Sequence, residues 1–198
     1  MSCTLDDLKT AASSEGVNLI PFSDLRKEAT SIADDIARRK EEVDTKGNVL
    51  TSQKDSKLWD IKQLNEKIAN EEKVEATLRR QDDIDKWKKE IEDLNGKVKD
   101  INSQLDTVLD SARRLYDLRV SLREWFDKAK RLLSDLKSNP ERALGSNPSD
   151  ENKKELERCA NEIISRIERG ESGHKTAEDQ VKRQVEKLKE ALDKTEYK

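Results

Sequence analysis

Apolar residues recur in a three-four alternation from Ile84 to Leu136, the longest regular pattern in the chain. With Ile84 at position a of a heptad, the a positions are Ile84, Ile91, Val98, Leu105, Ala112, Arg119, Phe126 and Leu133. The d positions are then Trp87, Leu94, Ile101, Val108, Leu115, Leu122, Ala129 and Leu136. Sixteen seam positions carry one charge, and heptads sustained this long predict a coiled-coil helix rather than the broader stripe of an ordinary surface helix. Asn95 and Gly96 fall on the solvated side of this register, where a glycine costs only about 1 kcal/mol, so the helix reads through them.

A weaker run starts after Ser23 and Asp24, with Leu25, Ala29, Ile32, Ile36, Val43 and Leu50 in step and Arg39 and Lys46 at the alternate seam positions. A shifted register resumes at Ile61, Leu64 and Ile68 and falters at Glu71 and Glu75. From Leu78 to Ile84 the spacing is six rather than seven, a stammer that overwinds a supercoil. Two architectures follow. In one, a single helix over 24–137 pairs in parallel with a second copy. In the other, the chain folds back near residues 79–83 into an antiparallel hairpin whose arms, 24–78 and 84–136, are nearly equal in length.

Residues 138–150, SNPERALGSNPSD, interrupt the pattern with two Asn-Pro steps and Gly145. They predict a linker or hinge, each Asn capping a helix whose first residue is proline. Beyond it, Leu156, Cys159, Ala160, Ile163 and Ile167 predict one helix, Gly170 to Gly173 a turn, and Ala177, Val181, Val185, Leu188 and Leu192 a second. The resulting C-terminal helical hairpin, 151–198, is expected to pack on the end of the stalk near Trp125, Phe126 and Leu133. Residues 1–23 form a separate segment whose cluster Val17, Leu19, Ile20 and Phe22 surrounds Pro21, a residue expected to keep it out of the following helix. An apolar cluster of this kind folds back on the protein or docks into a partner. The fold class expected is all-α: an elongated coiled coil, as long helix or antiparallel hairpin, followed by two shorter helices.

Composition sharpens this picture. Of 198 residues 42% are charged and 32% hydrophobic, too few apolar side chains for one compact core of this length. Six Gly and three Pro supply few turns for a β-rich fold. Forty basic residues against 43 acidic ones leave a net charge of −3, which offers no overall attraction to nucleic acid or an anionic bilayer, so nucleic acid is not an expected partner. The charge is concentrated locally, however. Arg113, Arg114, Arg119, Arg123, Lys128, Lys130 and Arg131, interleaved with Tyr116, Trp125 and Phe126, form a basic stretch that either meets a phosphate-bearing or acidic surface or pairs with neighbouring acidic helices. Arg119 on the seam itself either fixes register or marks the opening of the coiled coil into a bundle.

Chemistry is sparse. The sole histidine, His174, follows Glu171 by three residues, half of a di-iron pattern that needs a second histidine, and it reads as a solvated turn residue. Cys3 and Cys159 lack metal or redox spacing and read as reduced thiols. No phosphate-binding glycine loop or nucleophile elbow occurs. No cofactor, metal or catalytic group is expected. The expectation is a non-enzymatic structural protein: a spacer, tether or assembly subunit, homo- or hetero-oligomeric through helical surfaces. A peripheral membrane protein using the basic stretch is the alternative. With no apolar leader and no run of about 18 apolar residues, the location expected is cytoplasmic, or nuclear in a eukaryote.

Overall fold

The computed structural model describes residues 20–197, with side chains from residue 27 on and Ala143 excepted. The described residues are all-helical: α1 (Ile20–Glu72), α2 (Gln81–Ser138), the one-turn α3 (Glu141–Leu144) and α4 (Asp150–Asp193). α1 begins at Ile20, so Pro21 lies in its first turn and does not exclude Ile20 and Phe22 from the helix. A first-turn proline gives up only an amide that has no helical partner there. Residues 73–80 break the chain between α1 and α2, which removes the single-rod alternative. No described helix is long and apolar enough to cross a membrane.

The helices organise into two compact units. Unit 1 contains the described residues 20–37 together with 115–180, and its core gathers Ala129, Leu133, Leu136, Leu144, Leu156, Cys159, Ala160, Ile163 and Ile167. Trp125 and Phe126 pack against this core. The 138–150 segment therefore lies within unit 1 rather than between the units, and the α3 residue Leu144 is part of its packing. Asn147 does not cap α4. It takes a left-handed φ of 59°, while the Ser149 hydroxyl accepts a hydrogen bond from the Asn152 amide at 3.2 Å.

Unit 2 contains the described residues 38–114 and 181–197. Its α1 and α2 segments are antiparallel: the Ser111 hydroxyl donates to Glu42 at 2.8 Å, and the Lys88 ammonium meets Glu72 at 3.8 Å. α4 runs beside α1 in the same direction, with Gln184 donating to Asp44 at 2.9 Å and Lys194 to Asp55 at 2.7 Å. The α1 seam departs from the expected one. Lys46 is exposed, whereas Gly47 and Lys54 are buried among Val43, Leu50 and Leu58. A β-carbon at Gly47 would sit 3.3 Å from Leu188 and 3.6 Å from Val108, so this glycine admits the close approach of its neighbours.

Two further expectations are corrected. α4 is one helix through Gly170 and Gly173, in place of two helices with a turn. Among the described residues nothing lies within 4 Å of a β-carbon at either glycine, and the cost of each, about 1 kcal/mol, is less than that of interrupting an apolar stripe carried on both sides. Cys159 is disulfide-bonded, not a reduced thiol, and Cys3 lies outside the described residues.

Candidate interaction surface

The most developed surface feature begins where α4 ends. A helix leaves its last four carbonyls without amide partners, and at the end of α4 a side chain from α1 supplies what is missing. Lys54, 1% exposed, donates from Nζ to the Ala191 carbonyl at 2.6 Å and to that of Leu192 at 2.9 Å. The positive charge also opposes the negative end of the helix dipole. Desolvation nonetheless holds the Lys54 ammonium below its ordinary pKa.

Past this cap the α4-facing side of α1 continues with no described helix beside it. Leu58, Ile61, Asn65 and Ala69 follow Gly47 and Lys54 at helical spacing and form the floor of a groove of about 430 Å³. Lys62 and Glu66 edge it, and the terminal residues 195–197 close one side. The Tyr197 ring lies 5.9 Å from the Lys62 ammonium and 5.0 Å from that of Lys194, within cation–π reach. Trp59, beside the groove one turn before Lys62, is 47% exposed.

The far end of this hairpin is held by charge. Glu71, 8% exposed, accepts the Arg80 amide at 2.9 Å and its guanidinium at 2.9 and 3.3 Å. Those bonds from Arg80 hold the Glu71 carboxyl below the usual range. Arg79 reaches the Glu72 and Val74 carbonyls at 2.6 and 3.2 Å. Together they turn the chain without a glycine or proline and leave Val74 and Leu78 exposed at the tip.

The basic stretch is split between the units. In unit 2, Arg113 is exposed and paired with Asp110 at 2.9 Å, and Arg114 is exposed. In unit 1, Arg123 donates to both oxygens of the buried Glu178 at 3.0 and 3.1 Å. Lys128 meets Glu28 at 3.1 Å, and Lys130 meets Glu171 at 2.6 Å, the latter raising the Lys130 pKa. Arg131 is exposed. Arg119 is half-buried, its Nε has no hydrogen-bond partner among the described residues, and desolvation lowers its pKa.

His174 is not a solvated turn residue. It is 6% exposed within α4, with Nε2 2.7 Å from the Arg119 carbonyl and its ring edge-on to Phe126 at 5.4 Å. It joins α4 to α2 as a packed polar residue. Val17 and Leu19 lie outside the described residues, and of Ile20 and Phe22 only the backbone is described.

Sequence reasoning passed over Lys54, Trp59 and Tyr197. Trp59 carried a visible signal, since a tryptophan outside the apolar register needs a reason to face water. Lys54 also carried one: the spacing Val43, Gly47, Leu50, Lys54 is a clean four-three-four, obscured because glycine and lysine do not score as seam residues. The chain matches no protein-family model, no curated protein and no solved structure.

Proposed function

We propose that this is a non-enzymatic structural and interaction protein, a helical spacer or assembly subunit that presents the two-helix end of unit 2 to a protein partner. Its long heptad seam gives coiled-coil-like stiffness, and the groove gives specificity. One observation carries this reading. The exposed large apolar side chains among the described residues, Val49, Trp59, Val74, Leu78 and Tyr197, all belong to unit 2, on a chain that is 42% charged. Apolar side chains concentrated on an otherwise charged surface mark interaction sites, and tryptophan and tyrosine dominate the energetics of such sites. The basic stretch offers an anionic bilayer less than its count suggests, because Arg123, Lys128 and Lys130 already face carboxylates.

The test is site-specific photo-crosslinking in the native cell extract, with the photoreactive residue placed at Trp59, at Leu78 or at the exposed Arg131 of unit 1. Protein adducts from positions 59 and 78 but not from 131 are expected. Equal labelling at all three positions, or none at any, overturns the proposal.

A further inference from the structure

We infer that the partner docked on the two-helix end of unit 2 is a second copy of this chain, paired antiparallel through α1 about a two-fold axis level with Leu64. The inference rests on reading that end as a docking face and adds the identity of the occupant.

The face continues an interface the chain already makes. In α2, Leu105 and Ala112 are 0% exposed, whereas Val98 and Ile91, one and two heptads nearer the tip, are only half-buried. In α1, the stripe that meets α4 at Gly47 and Lys54 runs on into the open groove through Leu58, Ile61 and Ala69. Two helices there present the apolar side that a third helix covers further along.

The pattern along the edge of this groove, where Lys62 and Glu66 stand, identifies what covers it. Trp59, Lys62, Glu66 and Ala69 fall on one side of α1 at spacings of three, four and three, a sequence of intervals that reads the same in both directions. When two copies meet antiparallel, each residue therefore faces its mirror position. Lys62 of one copy lies opposite Glu66 of the other, and the large exposed Trp59 lies opposite the small exposed Ala69, each contact made twice. Charge and size are both self-complementary, as an isologous two-fold interface requires. The stripe is short, about 16 Å of helix on each copy at 1.5 Å per residue, so the dimer is weak and depends on concentration.

Sedimentation velocity on the purified full chain, from micromolar to millimolar concentration, tests this. Wild type is expected to move from monomer to dimer across that range. Lys62→Glu and Glu66→Lys each set like charges opposite one another twice and should weaken association about tenfold or more. The double variant Lys62→Glu with Glu66→Lys reverses both partners together and should return association to about the wild-type level. Trp59→Ala should weaken it as well. Circular dichroism of each variant, expected to be unchanged, confirms that the monomer is folded. A wild type that stays monomeric throughout overturns the inference, and so does a double variant no better than the singles. If wild type stays monomeric while position 59 still crosslinks to a different protein in extract, the docking face stands and only the identity of its occupant is wrong.

Discussion

Two buried charges show how single residues hold unit 2 together. Lys54 takes a seam position because its stem packs with Leu50 and Leu58 while its ammonium reaches the end of α4. Replacing it with alanine removes two charge-assisted bonds and leaves two carbonyls without that donor. Lys54→Ala should cost about 2–3 kcal/mol, with hydrogen-exchange protection lost first in residues 185–193. Lys54→Met keeps the packing and loses the cap, so it should fall between the two. Glu71 predicts a pH dependence. Its native pKa is lowered by Arg80, so its contribution is fully present above the ordinary carboxylate range and is lost as pH falls through the lowered native value. Glu71→Gln should therefore melt below wild type at pH 7, and the gap should close toward pH 2. A gap that is the same at both ends would mean that the charge of Glu71 does not matter to the fold.

At the scale of the element, α4 decides the architecture by being one helix. Gly170 and Gly173 are exposed helical residues with open space where a side chain would stand, and neither has a positive φ. Alanine there should stabilise the protein by about 0.5–1 kcal/mol per site, because it removes backbone freedom from the unfolded chain and creates no clash. If the two glycines instead formed a turn that required left-handed backbone, the same substitutions would destabilise. The sign of the change in melting temperature of Gly170→Ala and Gly173→Ala therefore reports directly on the continuity of α4.

For the molecule as a whole, stability is distributed along thin helical cores, each side chain contributing through the helices it touches. Leu105, 0% exposed in unit 2, and Leu133, 0% exposed in unit 1, occupy the same heptad position of α2. Each leucine-to-alanine change should cost about 2–5 kcal/mol. Hydrogen exchange should show the loss of protection centred on the mutated unit in each case. A melting curve for Leu105→Ala that coincides with that of wild type would mean the seam is not packed there.

The sequence by itself determined that the protein is helical, where α2 runs and which side of it faces inward. All sixteen seam positions between Ile84 and Leu136 are buried or half-buried, because a three-four pattern that long leaves a helix one apolar side to hide. Local pattern also located the interruption at 138–150, where proline and glycine restrict the backbone directly. Only the tertiary structure decided the rest, since those outcomes depend on what stands opposite. Gly47 belongs to a seam because Leu188, far along the chain, approaches it, and Lys54 is buried because α4 ends beside it. His174 is packed because α4 continues through two glycines and brings it against Phe126. The groove exists for the same reason: a helix from the C-terminal end of the chain stops short of the hairpin it covers. Periodicity reports which side of a helix avoids water, whereas the point at which a distant helix stops is set by packing between segments more than a hundred residues apart.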